Sequence, residues 1–365
     1  MVKLGEYVNI KTGKLDANAA SKNGKFPFFT CSAKPLKIDT YAYDCECVLV
    51  AGNGDLNVKY YNGKFNAYQR TYIIESKDKN ILSVPYLYVY LNQYIDVLRN
   101  QSIGGVIKYI KLSNLANAKI PLVDLEKQNS IVTKLFKLDD IIHKYYKQLA
   151  MLDTLVKSRF IEMFGDCVVN PKGWKTKPLE DIAEVGSSKR VFIEELQKSG
   201  IPFYRGTEVG ALAEGKQINP ELFITEEHYT ELCKATGAPQ IGDLLMPSIC
   251  PDGRIWVINT DKPFYFKDGR VLWVHAIDNS YNPVFLLHTL KNRIMTNYSS
   301  IASGTTFAEL KIFALKKCQI YDVPTALQNK FADYAEQTNK SKLAIQKSIE
   351  KLEILKKSLM QKYFG

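Results

Sequence analysis

The sequence predicts an α+β protein built twice on one chain: a globular segment, a long helix, a second globular segment and a second long helix. Three observations carry that prediction. The last fourteen residues, LEILKKSLMQKYFG (352–365), restate LDTLVKSRFIEMFG (152–165), with identities at Leu152/Leu352, Leu155/Leu355, Lys157/Lys357, Ser158/Ser358, Phe164/Phe364 and Gly165/Gly365. Both stretches close apolar-patterned runs of about forty residues with helical spacing. The segments before them carry strand and turn signals.

The repeat fixes the order of the elements. At an offset of 200 it extends back through Gln128-Asn129/Gln328-Asn329, Ile120/Ile320, Leu115/Leu315 and Gly104/Gly304. Nearer the segment starts, Leu4 of LGEYVNI pairs with Leu179 of LEDIAEV, and Pro27 of FPFFT with Pro202 of IPFYR, both at 175. The second copy therefore holds extra residues between these anchors. The boundaries fall at 1–122, 123–165, 166–322 and 323–365.

Within 1–122, KYYNGKF centres Asn62-Gly63 between strand-like residues, a type I′ hairpin signal. RTYIIES, and RVLWVHAI in the second copy, read as strands. Short helices are expected to start near Pro85 and Pro283. In 123–165, apolar residues recur from Ile131 in steps of four and three: Leu135, Leu138, Ile142, Tyr145, Leu149, Leu152 and Val156. Asp124 is placed to cap this helix and Gly165 to end it. Its forty or so residues span about 60 Å. In 323–365, Phe331, Ala335, Ile345, Ile349, Leu352 and Leu359 keep the seam. Lys342 and Lys356 fall on it, and are expected to snorkel out or to mark fraying.

The totals narrow the function. The 365 residues are 46% hydrophobic and 24% charged, which suits about two folded domains. The net charge of +11 suggests an anionic partner, nucleic acid first. The four segments carry +7, +1, −1 and +4 in order, so a DNA-binding face in the third segment must be local. The seven cysteines form no CxxC and read as reduced thiols of a cytoplasmic protein without a zinc site. Cys45 and Cys47 are expected to face opposite sides of a strand. The longest apolar run, ILSVPYLYVYLNQYIDVL, holds Pro85, Asn92, Gln93 and Asp96, which excludes a membrane span.

Catalytic motifs are approached and missed. GALAEGKQ (210–217) nearly fits a P-loop, but Gln217 replaces the hydroxyl that magnesium needs, and Pro220 follows too soon. NPVF (282–285) is close to the NPPY-type motif of amino-methyltransferases, but Val284 replaces a proline and no glycine-rich AdoMet turn accompanies it. The Gly52/Gly54 pair of AGNGD reads as a turn. His143, His228, His275 and His288 are scattered. No metal or catalytic constellation emerges.

What remains suits DNA. GSSKRVF (186–192) offers Ser187, Ser188, Lys189 and Arg190 in a polar loop after a strand; the first copy has Lys11, Thr12 and Lys14 there. Hydroxyls and cations suit phosphates, and arginine suits guanine edges. Arg205 in FYRGTE, and Thr30 and Ser32 in FFTCS, follow apolar strands. Thr305 and Thr306 lie in SGTTF, matched by SIGGV around Gly104, where glycine permits close backbone approach. Arg254 and Arg270 complete the candidates.

This layout resembles the specificity subunit of type I restriction–modification systems, across essentially the whole chain. SRFIEMFGD (158–166) followed by NPKGW (170–174) is similar to that family's central conserved region, and GIPFYRGTEV (200–209) to the opening of a target-recognition domain. The resemblance implies recognition domains at 1–122 and 166–322, related by pseudo-twofold symmetry. Between them the helices would pack as an antiparallel coiled-coil spacer. Each domain would read one half of a bipartite, asymmetric double-stranded DNA site, and half-sites on one face of DNA repeat roughly every 34–36 Å, within reach of such a rod. The helices would dock two adenine-modifying methyltransferase subunits, joined by an ATP-dependent restriction subunit. The chain itself would be non-catalytic and hold no cofactor, with AdoMet, ATP and Mg2+ on the partners. Two other readings remain: a coiled-coil scaffold that binds only protein, and a DNA methyltransferase acting through Asn282-Pro283.

Overall fold

The computed structural model describes residues 1–304 and 308–365. Two of the candidates, Thr305 and Thr306, lie outside the described residues. The chain divides into two compact units: Met1–Tyr146 with Lys347–Gly365, and Lys147–Gln346. Each unit takes one globular segment and part of both long helices.

The first unit contains β1 (Val2–Lys3), β2 (Val8–Thr12), β3 (Phe26–Phe29), β4 (Leu36–Ile38), β5 (Tyr43–Ala51), β6 (Val58–Ala67), β7 (Thr71–Ser76) and β8 (Lys119–Ile120). Its helices are α1 (Val84–Gln101), α2 (Leu112–Ala116), the start of α3 (Leu125–Phe164) and, from residue 347, the end of the second long helix. Six strands form one sheet, in the order β2-β7-β5-β6-β3-β4. The run Cys47–Ala51 in the central β5 is buried throughout. Apolar residues of α1 pack on this sheet, with Tyr86 and Tyr90 also meeting Phe364 at ring distances of 5.2 and 5.9 Å.

Three local expectations fail here. Asn62 and Gly63 make no turn: they lie inside β6, opposite Glu46 and Cys45, within a ladder of eight residue pairs to β5. The turn falls earlier, at 52–57, where Gly54 has φ +68°. A long cross-strand ladder outweighs one dipeptide's turn preference. Cys45 and Cys47 share one face of β5 and one apolar cluster, because residues two apart on a strand point the same way. Finally, α1 is not short; it runs 18 residues, starting one residue before Pro85.

The second unit contains β9 (Thr176–Pro178), β10 (Glu184–Gly186), β11 (Ile201–Tyr204), β12 (Phe223–Ile224), β13 (Leu244–Pro247), β14 (Trp256–Val257), β15 (Tyr265–Phe266), β16 (Val271–His275), β17 (Ala302–Ser303), β18 (Glu309–Leu310) and β19 (Gln319–Tyr321). Its helices are the rest of α3, then α4 (Gly206–Ala213), α5 (Glu226–Thr236), α6 (Pro283–Ile301), α7 (Ile312–Lys316) and the start of α8 (Thr325–Phe364). The main sheets run β10-β16-β13-β14 and β12-β11-β15. The extra residues of this copy carry α4 and α5, between β11 and β13. Gly210 lies inside α4, so GALAEGKQ cradles no phosphate. Asn282 caps α6 by accepting from Val284 N–H at 2.9 Å, and Pro283 opens the helix. Both residues of the methyltransferase-like motif thus have structural roles. α6 is also longer than expected, although its 19 residues are broken by a kink at Asn297, where the backbone leaves helical geometry (φ −137°, ψ 39°).

In both units α3 and α8 run antiparallel. The lysines on the seam do not fray the pairing; each reaches out to an acid on the facing helix. In the first unit Lys356 meets Asp139 at 2.5 Å, and in the second Lys342 meets Asp153 at 2.5 Å. The two pairs stand fourteen residues, or two heptads, apart on each helix. Ile131, Leu135, Val156 and Ile349 are buried. Leu138, Ile142, Tyr145, Leu149, Leu152, Ile345, Leu352 and Leu359 are half-buried. His143 is exposed.

The residues that mark the repeat are structural. Gln128 is fully buried. It accepts from Ser83 N–H at 2.9 Å and donates to the carbonyls of Ile81 and Val123. Gln328 repeats all three bonds with Asn282 N–H and the carbonyls of Ser280 and Val323. Each ties the start of a long helix to the loop entering α1 or α6. Asp124 caps α3 by accepting from Lys127 N–H at 2.8 Å, and Gly165 ends it at φ +87°. Trp174 then donates from Nε1 to Phe164 O at 3.0 Å, and Lys172 donates to the carbonyls of Glu162 and Met163. NPKGW therefore satisfies carbonyls that the end of a helix leaves open.

Candidate nucleic-acid interface

In the first unit several loops and strand ends converge on the turn between β6 and β7. Gly13 N–H donates to Thr71 O at 3.0 Å, and Tyr68 N–H to Phe29 O at 2.9 Å. Gly52 N–H donates to Arg70 O at 2.8 Å, and Ile110 N–H to Gly52 O at 2.9 Å. The stretches after β2, β3 and β5 thus meet the turn 68–71 and the segment before α2. The second unit repeats this around the turn between β15 and β16. Ser248 N–H donates to Arg270 O at 2.9 Å, and Leu310 N–H to Ser248 O at 2.7 Å. Val271 O, which stands where Thr71 O does, accepts from the Ser187 hydroxyl at 2.7 Å.

The predicted residues divide between shaping these clusters and facing outward. Ser187 also accepts from Gly269 N–H at 2.9 Å, and the Ser188 hydroxyl donates to Phe266 O at 2.6 Å, so both pin their loop to the turn. Thr30 is 5% exposed, and its hydroxyl accepts from Ser32 N–H. Thr12 is exposed, and its carbonyl accepts from the Tyr43 hydroxyl. Lys11 pairs with Glu75 at 3.1 Å across β2 and β7, and the Glu75 carboxylate raises its pKa. Lys14, Ser32 and Lys189 are exposed.

The four candidate arginines of the second unit each face an acid. Arg190 meets Asp268 at 3.1 Å, and Arg254 meets Asp252 at 2.8 Å. Arg205 grips Glu208 at 2.6 Å at the start of α4, and Arg270 pairs with Glu309. Burial alone would raise Glu208, but bonds from the Arg205 side chain and backbone and from Thr207 hold its pKa down at about 2. Asp268 is likewise held below the usual carboxylate range against burial, by Lys267 and Arg190. These acids offset the cations, matching the segment's near-neutral charge. In the first unit, by contrast, neither Lys14 nor Arg70 has an ion-pair partner among the described residues. Arg70 was not among the sequence candidates, although the 200-residue offset carries it onto Arg270.

The clusters offer hydroxyls, backbone amides and cations, the groups that hold phosphates and base edges. Among the described residues, no three or more His, Cys, Asp or Glu side chains are placed to hold a metal ion, and no helix is long and apolar enough to cross a membrane.

Comparison with known proteins gives the same direction. The chain matches the type I restriction modification DNA specificity domain over residues 1–151 and 171–355. It is 37% identical over 201 residues to the Escherichia coli type I restriction enzyme EcoDI specificity subunit, covering 53% of this chain and 44% of that protein. It is 26% identical over 294 residues to the Methanocaldococcus jannaschii MjaIX specificity subunit, covering 73% of this chain and 64% of that one. The chain thus spans less than two thirds of the length of these relatives. Its fold is similar to the type I system S subunit from M. genitalium, with a TM-score of 0.65 at 16% identity over 100% of this chain and 95% of that one. A chain solved for complex assembly and conformational transition of the type I R-M system gives 0.57 at 18% identity, over 100% and 96%. With the matched regions covering both globular segments and most of both long helices, the chain belongs to the type I restriction modification DNA specificity domain family.

Proposed function

We propose that this chain is the DNA-specificity subunit of a type I restriction–modification complex, each globular segment reading one half of a bipartite, asymmetric site. One observation carries the reading: the same loop cluster is built twice on one chain, around turns 68–71 and 267–271, with different side chains around it. A duplicated scaffold with diverged loops suits two different half-sites, as a homodimer's identical surfaces do not. The candidates that face outward are Lys14, Ser32, Lys189, Arg190, Arg205 and Arg270, with Arg254 half-buried beside Asp252. Thr30, Ser187 and Ser188 shape the loops that present them. The long helices dock two methyltransferase subunits, and a restriction subunit completes the assembly. The chain is non-catalytic and acts in the cytoplasm; AdoMet, ATP and Mg2+ belong to the partner subunits.

The test is methylation mapping. The chain is co-expressed with its methyltransferase partner in a methylation-free host, and modified adenines are located by long-read sequencing. A split motif with a fixed gap, lost without this chain, is expected. Arg190→Ala should alter one half of that motif only. A continuous motif, or one independent of the chain, would overturn the reading in favour of a protein-binding scaffold.

A further inference from the structure

We propose that Arg70 and Arg270 form a matched pair of phosphate contacts, one in each recognition domain, that anchors DNA without reading its sequence. This rests on the DNA-recognition reading above and adds a division of labour within it.

The two arginines hold the same place in the fold. They lie 200 residues apart, at the repeat offset, each directly before the strand β7 or β16. The carbonyl of each accepts from the first residue after β5 or β13, Gly52 or Ser248, at 2.8 and 2.9 Å. The carbonyl of that residue accepts in turn from Ile110 or Leu310, at 2.9 and 2.7 Å. Every bond of this relay is main chain to main chain. Loop side chains can therefore change without moving the arginine backbone.

The neighbours have changed. Gly52 corresponds to Ser248, Tyr109 to Glu309, and the backbone donor at Gly13 to the Ser187 hydroxyl. The arginine has not. Both side chains face solvent, Arg270 with 61% of its surface accessible. A cation held on a rigid relay in both domains, while the loops beside it diverge, fits the backbone that any two half-sites share. Phosphates are the common feature of all duplex DNA, and base edges are not. A base-reading arginine would have no reason to persist across domains that read different half-sites.

The two sites differ in one respect that gives a second handle. Arg270 is paired with Glu309, which Lys311 also approaches at 3.6 Å, whereas the first unit has Tyr109 at that position. DNA must displace a carboxylate at Arg270 and none at Arg70.

The experiment measures duplex binding across a salt series for the complex of the full chain with methyltransferase subunits, using a duplex with the mapped motif and a scrambled one. One phosphate contact contributes about 0.9 to the slope of log affinity against log salt, roughly eightfold between 1 M and 0.1 M. Arg70→Ala and Arg270→Ala should each lower the slope by about 1 and weaken both duplexes equally. The methylated motif should be unchanged, and the lysine variants should restore the slope. Glu309→Gln should tighten binding of both duplexes at low salt. An unchanged slope in the alanine variants, or a changed motif, would overturn the pairing while leaving the specificity role intact. A wild-type complex that binds both duplexes alike would overturn that role and this inference together.

Discussion

Replacing Gln328 by leucine tests the bond that ties a long helix to its globular segment. The substitution nearly conserves volume, so it opens little cavity. It deletes three hydrogen bonds in a site that is 1% exposed: from Asn282 N–H at 2.8 Å, and to the carbonyls of Val323 at 2.9 Å and Ser280 at 3.1 Å. A buried polar group left without a partner costs about 1–3 kcal/mol. The amide of Asn282 bears most of that, and carbonyls tolerate weaker partners, so the total is about 3 kcal/mol. Units of 150–250 residues lose about 2–4 °C per kcal/mol, which puts the melting temperature of the second unit roughly 6–12 °C lower. Circular dichroism follows the melt, and hydrogen exchange should place the lost protection at 280–284 and 323–328. Gln328→Glu should be no milder, because it keeps the acceptor but loses both donor bonds and buries a charge. Gln128→Leu should act alike in the first unit. A shift under about 2 °C for Gln328→Leu would refute the reasoning, since the loop would then be held by packing alone.

Other expectations follow from the same geometry. Lys356 and Asp139 are 32% and 49% exposed, so a double-mutant cycle on that pair should give a coupling of only about 0.3–1 kcal/mol in urea unfolding. Giving α8 the residues that α3 has at the equivalent positions, Lys342→Ile with Lys356→Val, should leave stability unchanged or raise it by about 1 kcal/mol, checked by the same titration. Trp174→Phe keeps an aromatic side chain but removes the pyrrole ring with its donor to Phe164 O, and should cost about 1–2 kcal/mol by urea unfolding. His288, beside Phe331, is pushed down to about 3 by burial, then by Lys291 and Lys342. The unfolded chain therefore binds the extra proton, and the stability this neutral histidine carries above about pH 6.5 is lost as pH falls toward 3, at up to about 1.4 kcal/mol per pH unit. His288→Phe should flatten the acid limb of a stability–pH curve; an unchanged limb would place the acid sensitivity elsewhere.

The sequence by itself determined the features that local chemistry or direct repetition encodes. The offset of 200 is read by comparing the text with itself, and the heptad spacing from Ile131, the Asp124 cap and the stop at Gly165 need only near neighbours. So do the proline starts of α1 and α6. The position of the extra residues in the second copy followed from the change in offset alone. The phrases behind the family resemblance were visible as text, but their cause was not: NPKGW caps a helix end through Lys172 and Trp174, contacts that exist only once the chain has folded back on α3.

Tertiary structure decided what depends on which distant segments meet. Asn62-Gly63 has the chemistry of a turn, yet its eight-pair ladder with β5 makes it strand, and ladder partners are not written in a heptapeptide. Lys342 and Lys356 looked like defects in a seam because their acids, Asp153 and Asp139, lie on the other helix. Ser187, Ser188 and Thr30 have the right groups for DNA, but folding commits their hydroxyls to the backbone. Arg70 matches Arg270 by the repeat offset, but only the relay through Gly52 and Ile110 gives the two arginines the same backbone support. Periodicity and caps act over a few residues and survive in the sequence. Strand pairing, burial and charge partnership act between residues far apart along the chain, and are settled only when the fold brings them into contact.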